Sequence, residues 1–365
     1  MKGSKFLYLI FAAAVVAVLA WYLHRSEESS WQEQAVPAGE KILGEFPVND
    51  VASVALSGPD GVVTLQRGAD GWGVAERGGY PTDFERVSAL VLKLSDLQAL
   101  QNVPVDASDY GALALRTRAD GIPREETGTL VELRNARGQP LATVVLGKTH
   151  MTTPQGVRPE IGGTASGRYV MPAGGSGNAY LVAETFSDLQ TAPSSWIDKT
   201  FVRPGMPRRV DVQSKDGQWT LTRDASGGAW KMEGLRKNQS LDMAKAMSID
   251  SMLTGMAVAD VPDGPEDARV APLEENPVTV TADTFDGVRY ILTIGRGDGD
   301  NLPVQVAAEP LPDEPDTEEA TKARDERLAA AGKFEDRVVF IPRNFLAPFL
   351  LPRAELLTAG TAAKK

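Results

Sequence analysis

The chain has 365 residues, no Cys, two His and a formal net charge of −11 at pH 7. The absence of Cys excludes disulfides, iron–sulfur clusters, thiolate zinc sites and Cys nucleophiles, and two His leave little room for His-based metal sites or acid–base chemistry. Binding to a phosphate backbone needs clustered Lys and Arg, so an acidic chain is not expected to bind nucleic acid.

The N-terminal segment predicts a membrane anchor over residues 1–25. Residues 6–23 form an uncharged run of 18 residues, which as a helix is long enough to cross the hydrocarbon core of a bilayer. Lys2 and Lys5 precede this run, and a positive flank keeps the N-terminus in the cytoplasm. We therefore expect a single-pass inner-membrane protein with a periplasmic body. A cleaved signal peptide is the alternative, because Val18-Leu19-Ala20 resembles a small-residue cleavage site.

A polar stalk is expected over residues 26–45, and residues 359–365 are expected to form a disordered tail. From residue 26 onward the chain keeps all 49 acids and lacks only Lys2, Lys5 and Arg25 of its 38 bases, so this part has a formal charge of −14. Without disulfides the exported part must be stabilised by burial, and it is long enough to build a large core.

An internal repeat predicts two tandem modules, over residues 46–203 and 207–358. Trp72, Thr82, Val103 and Pro104 recur 158 residues later as Trp230, Ser240, Val261 and Pro262. Thr64-Leu65-Gln66-Arg67 likewise matches Thr220-Leu221-Thr222-Arg223 at an offset of 156. Such self-similarity indicates repeated structural units.

Each module is predicted to begin with a strand pair joined by turn residues. The first pair covers residues 51–56 and 62–67 around Pro59-Asp60-Gly61, and the second covers residues 209–214 and 218–223 around Asp216-Gly217. Gly and Asp favour turns between β-branched runs. A short strand carrying Trp72 or Trp230 is expected next.

One amphipathic helix is then predicted in each module. The first begins at Thr82, with Glu85 three residues later as in a capping box, and the second begins at Ser240. Apolar residues recur at helical spacing in both segments, which indicates one buried face on each helix. These residues are Phe84, Val87, Leu90, Val91, Leu94 and Leu97 in the first, and Met243, Ala246, Ile249, Leu253 and Met256 in the second.

A second hairpin follows in each module, over residues 129–146 around Arg137-Gly138 and over residues 278–294 around Asp286-Gly287. A closing strand (169–171 or 338–341) and a terminal helical segment near Phe186 or Phe345 complete the pattern. The expected fold class is α+β, with an N-terminal transmembrane helix and two tandem modules, each a mainly antiparallel sheet with one amphipathic helix.

The second module carries an acidic, Pro-rich insertion at residues 308–332 that has no counterpart in the first. We expect an exposed loop over residues 308–317 and then a charged helix from Thr317 to Ala331, supported by Glu318 and Lys322 at i,i+4 and ended by Gly332. The insertion is either a solvated excursion or an element that docks a partner.

Several patterns resemble active or cofactor sites, but each lacks an essential part. His150 with Ser166 or Ser176 as nucleophile lacks a Gly-x-Ser-x-Gly elbow. The Gly-rich segments 162–167 and 174–177 lack the sequences of phosphate-binding loops. The sequence therefore assigns no catalytic or cofactor-binding residue.

Two further patterns suggest a metal or a glycan. Asp298 and Asp300, with Glu309 at the twelfth position, have the spacing of a calcium loop but lack its other ligands and its central Gly. Trp72, Trp196 and Trp230 are candidates for a carbohydrate platform, although the repeated positions of two of them favour a core role. We therefore assign no metal ligand and no cofactor.

The order of the remaining motifs resembles a known family. A Trp-bearing hairpin precedes Tyr80-Pro81-Thr82-Asp83, followed by Leu146-Gly147, by Tyr169-Val170 and by Ser195-Trp196-Ile197-Asp198-Lys199. Over most of residues 50–260 this order is similar to the bacterial domain-of-unknown-function family 4340. The resemblance implies an N-terminal membrane helix and an association with ABC-type export permeases of the gliding-motility auxiliary type, and it implies no catalytic residues.

These features predict a non-enzymatic, membrane-anchored accessory or scaffold protein outside the cytoplasm, whose partner is an ABC-type permease or an envelope complex. One alternative is a periplasmic module that binds a glycan or a peptide. Another is an envelope hydrolase that uses carboxylates, which requires two acids facing each other in a cleft.

Overall fold

The computed structural model describes residues 39–69, 71–152, 163–173, 178–312 and 317–359. It divides into a first unit, Met1–Asp70 with Phe84–Ser195, and a second unit, Gly71–Asp83 with Trp196–Lys365. The predicted anchor, most of the predicted stalk and the predicted tail beyond residue 359 lie outside the described residues. Among the described residues, no helix combines the length and the apolar character that a membrane crossing requires.

The secondary structure is mostly antiparallel strands with a few helices, which confirms the α+β class. The strands are β1 (Val51–Gly58), β2 (Gly61–Gly68), β3 (Gly71–Val74), β4 (Tyr80–Pro81), β5 (Gln101–Pro104), β6 (Thr129–Asn135), β7 (Pro140–Thr152), β8 (Thr164–Pro172), β9 (Asn178–Val182), β10 (Pro207–Ser214), β11 (Gly217–Thr222), β12 (Lys231–Met232), β13 (Gln239–Leu241), β14 (Pro277–Thr284), β15 (Val288–Gly295), β16 (Asn301–Pro310), β17 (Val339–Pro342) and β18 (Leu357–Ala359). The helices are α1 (Phe84–Ser95), α2 (Met243–Gly255), α3 (Pro272–Glu275), α4 (Glu318–Gly332) and α5 (Arg343–Leu350).

The first unit is an antiparallel sheet with one long helix. Its strands lie in the order β2-β1-β6-β7-β8-β9-β5. Alternate residues of the strands point into the core, as the burial of Val54, Leu56, Val63 and Leu65 on β1 and β2 shows. Helix α1 buries Val87, Leu90, Val91 and Leu94, as predicted.

The second unit contains a seven-stranded sheet in which β12-β11-β10-β14-β15-β16-β17 are neighbours, and a separate pair β13-β18. The hairpin β3–β4 belongs to this unit, although it precedes the whole of α1 in sequence. Helix α2 buries Ala246, Ile249, Leu253 and Met256. The unit also contains α4 and α5, which correspond to the predicted charged helix from Thr317 to Ala331 and the predicted terminal segment near Phe345, and the short α3, which was not predicted.

The two predicted amphipathic helices, α1 and α2, begin later than predicted. Helix α1 begins at Phe84, because Thr82 bridges to Ile197 in strand-like pairing and its hydroxyl donates to the backbone O of Trp196. Helix α2 begins at Met243, and its N-cap is Asp242, whose carboxylate accepts from the N–H groups of Ala244 and Lys245. Thr82 and Ser240 are therefore not N-caps. The first apolar residue of each helix, Phe84 on α1 and Met243 on α2, is exposed.

Three other predictions are corrected at the ends of elements. No helix forms at Phe186, which adopts a positive φ of 50° in a described loop, whereas Phe345 does lie on α5. Strand β7 continues to Thr152, so His150 lies within a strand and not after it. Strand β16 continues to Pro310, so the first residues of the predicted 308–317 loop are paired in the sheet.

Candidate functional site

Among the described residues, the hydroxyl that contacts the His150 ring belongs to Tyr169 and not to Ser166. The Nδ1 atom of His150 lies 3.3 Å from the hydroxyl of Tyr169, and the two rings meet edge to face at 5.7 Å. The Ser166 hydroxyl contacts the Thr152 hydroxyl at 2.6 Å and the backbone O of His150 at 3.5 Å, so it does not contact the imidazole. Ser176 and the segment 174–177 lie outside the described residues.

The Gly-rich segment 162–167 does not form a phosphate loop in the part that is described. Residues from Thr164 onward belong to β8 and pair with β7, with Gly167 opposite His150. A phosphate loop would instead open a helix with its N–H groups pointing at the anion. Gly162 lies outside the described residues.

The loop around Asp298 and Asp300 is closed by an arginine. The guanidinium of Arg343 donates to the backbone O atoms of Gly297 and Gly299. The backbone N–H of Arg343 donates to the backbone O of Asp300 at 2.8 Å. Glu309 lies on β16 and pairs with Arg289 at 3.4 Å. Across the described residues, no three His, Asp or Glu side chains are grouped to hold a metal ion.

The three tryptophans do not form a common exposed surface. Trp196 and Trp230 are buried in the second unit, and the guanidinium of Arg223 lies 4.3 Å from the centre of the Trp230 ring. Trp72, on β3, is partly exposed. A sugar-binding platform needs exposed ring faces, so Trp196 and Trp230 cannot provide it.

A depression in the second unit has the shape of a binding groove that the sequence did not indicate. Its volume is about 420 Å³. Three segments far apart in sequence line it, namely the β3–β4 turn, the chain that follows Asp260 and the chain that leads into β17. The lining residues are Arg77, Gly78, Gly79, Tyr80, Val261, Pro262, Gly264, Pro265, Val270, Arg337 and Val338. We call this depression the Tyr80 groove.

The β3–β4 turn depends on two glycines. Gly78 and Gly79 have φ values of 61° and 74°, in the left-handed region that other residues rarely adopt. The backbone O of Gly79 also lies only 2.5 Å from where a side chain on Gly73 would begin. This tight turn brings Arg77 and Tyr80 to the groove.

An ion-pair cluster holds Arg77, which lines the Tyr80 groove, in place. The guanidinium of Arg77 donates from Nε to Asp260 Oδ1 at 2.7 Å and from Nη2 to Oδ2 at 3.2 Å, and both side chains are 12% exposed. Arg77 Nη1 lies 2.7 Å from Asp263. Arg269 contacts Asp260 at 3.0 Å and Asp263 at 3.1 Å. Such bidentate Arg–carboxylate pairs are geometrically specific, so the cluster holds residues 77 and 260–269 in register.

Two ionisable groups at or near the groove, Asp267 and Tyr80, have pKa values far from neutrality. Hydrogen bonds from Arg269 hold the pKa of the Asp267 carboxyl well below its usual range. Burial, with a further contribution from the Asp198 carboxylate, raises the pKa of Tyr80 to about 12. A general acid or base works best when its pKa lies near the operating pH, so neither group suits that role near neutrality.

The two cations at the groove are in different states. All three guanidinium nitrogens of Arg77 are engaged by Asp260, Asp263 and the backbone O of Glu76. Arg337 is exposed, and its guanidinium lies 5.7 Å from the centre of the Tyr80 ring. Among the described residues Arg337 makes no ion pair. The groove therefore combines an apolar wall with one available positive charge, which suits recognition better than bond cleavage.

Sequence reasoning missed this groove because residues 77–80, which form its first lining segment, lie more than 170 residues before the other two segments. One signal was present: Val261 and Pro262 are the repeat partners of Val103 and Pro104, but they are followed directly by Asp-Gly-Pro (263–265), whereas the first copy continues with Val-Asp-Ala (105–107). A departure from the repeat at that point could have directed attention to residues 261–270.

Comparisons with known proteins give a family but no close relative. Residues 72–276, more than half of the chain, match the family described as "Domain of unknown function (DUF4340)". No curated protein and no solved structure matches. The matched range includes the β3–β4 turn, α2 and the segment 260–270. The chain belongs to the DUF4340 family.

Proposed function

We propose that this protein is a non-enzymatic accessory or scaffold protein, anchored in the inner membrane by residues 6–23, with a periplasmic body that works with an ABC-type export permease or another envelope assembly. The apolar run and its positive flank support the anchor. The resemblance described above supports the transporter partnership.

The outer face of α4 is the observation that carries the scaffold role. The connection between β8 and β9 spans residues 173–177, whereas that between β16 and β17 spans residues 311–338 and contains α4. Helix α4 packs on β15 and β16 and exposes a charged face. Its exposed residues include Glu318, Glu319, Lys322, Asp325, Glu326 and Ala329.

Specific contacts hold the inner face of α4 in place. Arg327 Nε lies 2.7 Å from Asp286 Oδ2, and Arg327 Nη1 donates to Arg203 O at 2.8 Å. Just after the helix, the Phe334 ring packs edge to face against Phe201 at 5.1 Å. A helix fixed on one side and charged on the other presents a defined surface to a partner, unlike a loosely solvated excursion.

Two tandem modules are also part of the proposal. The order β2-β1-β6-β7-β8-β9 in the first unit corresponds, element by element, to β11-β10-β14-β15-β16-β17 in the second. This correspondence supports a duplication, with α4 added to the second copy. The module boundary between residues 203 and 207 stays a prediction.

The test is affinity purification of the full chain from its native membranes in mild detergent. Ala329→Arg places a bulky cation on the outer face of α4, and Ala89→Arg is the matched control because Ala89 is also exposed in the middle of a helix. Loss of a central contact should reduce recovery of the permease about tenfold for Ala329→Arg and leave the control unchanged. Equal recovery with both variants would refute docking through α4, and a wild-type chain that recovers no membrane complex would refute the accessory role.

A further inference from the structure

The Tyr80 groove lies where the pairing of the sheet edge stops. Strand β17 has β16 on one side, and on the other side the bridge between Asp260 and Phe340 is the one pairing that forms among the described residues. This bridge uses the Ala259 N–H to Phe340 O and the Phe340 N–H to Asp260 O, both at 2.8 Å. The next hydrogen-bonded antiparallel rung would join Pro262 to Val338, and this pairing does not form among the described residues.

The first unit shows what closing this rung looks like. There β5 pairs with β9 over four rungs, from Gln101 with Leu181 to Pro104 with Asn178. Pro104 is the repeat partner of Pro262. In the second unit the chain instead leaves the sheet after Asp260, and both Pro262 and Val338 line the Tyr80 groove. The groove thus occupies the position that a continued edge strand fills in the first unit.

The charge of the groove selects one kind of occupant. Among the described lining residues the charged ones are Arg77 and Arg337, and Arg77 is neutralised by Asp260 and Asp263. Arg337 is left as an exposed cation on a chain whose net charge is −11. A carboxylate of a ligand would neutralise Arg337 and accept a charge-assisted hydrogen bond from its guanidinium.

The walls of the groove favour a peptide over a sugar. Val261, Pro262, Pro265, Val270 and Val338 present aliphatic surface, and Tyr80 is buried. Sugars are held by exposed aromatic faces together with hydrogen-bonding polar groups, whereas aliphatic residues beside an open sheet edge suit an extended peptide.

We propose that the Tyr80 groove binds an extended, acidic peptide segment of a partner protein, which places one carboxylate against Arg337 and apolar side chains against Pro262 and Val338. The inference goes beyond the accessory role, because it names a surface distinct from the outer face of α4 and the chemistry of what it recognises.

The experiment pans a phage-displayed library of random heptapeptides against the purified full chain in detergent. The expected result is enrichment of peptides that combine Asp or Glu with apolar residues. Synthetic copies of the enriched peptides, with a free or an amidated C-terminus, then show whether a side-chain or a terminal carboxylate is bound. No enrichment, or enrichment of peptides without any carboxylate, would overturn the proposal.

Two variants make the test specific to Arg337. Arg337→Glu should weaken binding of the selected peptide at least about tenfold, and so should replacing the peptide's acid by its amide. Arg137→Glu, in the exposed β6–β7 turn, is the matched control and should bind normally. Equal affinity of wild type and Arg337→Glu would overturn the proposal.

Arg337→Gln, whose side chain is neutral, provides a second variant should Arg337→Glu fold poorly, and its thermal unfolding midpoint should match that of the wild type. Recovery of the permease by Arg337→Glu separates this inference from the accessory role. If Arg337→Glu recovers the permease but loses the peptide, both ideas are supported. A wild-type chain that binds the selected peptide but recovers no membrane complex refutes only the accessory role.

Discussion

Arg223 carries its charge in the interior of the second unit. Its side chain is 1% exposed, its Nε donates to Pro207 O at 2.6 Å, and its two other nitrogens donate to the Asp250 carboxylate at 2.8 and 2.9 Å. The face of Trp230 covers the guanidinium. Burying a cation is costly unless it is paired and hydrogen-bonded, and here each of the three guanidinium nitrogens donates a hydrogen bond.

The repeat partner of Arg223 lies in a different environment. Arg67 is exposed and donates to Asn49 O at 3.4 Å. The difference arises on the helices, because the eighth residue of α2 is Asp250 whereas the eighth residue of α1 is the buried Val91. The sequence repeat aligns the two arginines but could not show that Arg223 is buried against Asp250 whereas Arg67 is exposed.

Arg223→Ala should therefore destabilise the protein by about 3 kcal/mol, because Asp250 would be left partly buried without its partner. Arg67→Ala, the matched control, should cost about 0.5 kcal/mol or less. Urea unfolding of the full chain in detergent, followed by tryptophan fluorescence, measures both. The double variant Arg223→Met/Asp250→Leu should lose less than Arg223→Ala alone, since it leaves no unpaired charge. Similar losses for Arg223→Ala and Arg67→Ala would contradict the assigned role of the buried pair.

Among the elements, the hairpins were the easiest to predict. The turns at Gly138 and Gly287 adopt φ values of 76° and 81°, and the strands on either side of each are found within a few residues of the predicted positions. Turn residues act locally, so hairpin turns can be predicted from the sequence. The first residues of helices were harder to predict, because whether a Ser or Thr caps a helix depends on competing partners distant in sequence.

The N-terminus of α2 gives a direct test of this point. Asp242→Ala removes the acceptor for two N–H groups and should cost about 1 kcal/mol, with faster amide exchange at Ala244 and Lys245. Ser240→Ala, at the cap position that the sequence suggested, should change stability by about 0.5 kcal/mol or less because its side chain is exposed on β13. Hydrogen exchange read by mass spectrometry compares the two. A larger effect at Ser240 would restore the original assignment of the cap.

The Tyr80 groove lay beyond prediction for a related reason. Its floor depends on Arg77 meeting Asp260, and its opening depends on Pro262 facing Val338. Neither pairing is implied by local periodicity. The fold class, by contrast, follows from alternating apolar residues and turn chemistry, which recur in the strand pairs of both predicted modules.

At the scale of the whole molecule, the charge distribution makes a prediction about orientation. The chain places Lys2 and Lys5 before the apolar run and Glu27 and Glu28 after it. Alkaline phosphatase, which is active only after export, should be active when fused after residue 359 and inactive when fused before residue 1. Exchanging the charges, with Lys2 and Lys5 changed to Glu and Glu27 and Glu28 changed to Lys, should reduce the activity of the C-terminal fusion. An inactive C-terminal fusion of the unchanged chain would contradict a periplasmic body.

The second unit consists of two separate stretches of chain, Gly71–Asp83 and Trp196–Lys365, which are synthesised at different times. The hairpin that carries Arg77 is made first, but its partner Asp260 follows 183 residues later. At ribosomal rates of about 5–20 residues per second, this separation corresponds to roughly 10 to 40 s. Throughout that interval the cation of Arg77 lacks the carboxylate that holds it in the finished fold. The hydroxyl of Thr82 lacks its acceptor for a shorter time, until Trp196 has been made 114 residues after Thr82. The first unit is complete in sequence by Ser195, whereas the hairpin of the second unit, although made before α1, must wait for Asp260 before its Arg77 is paired.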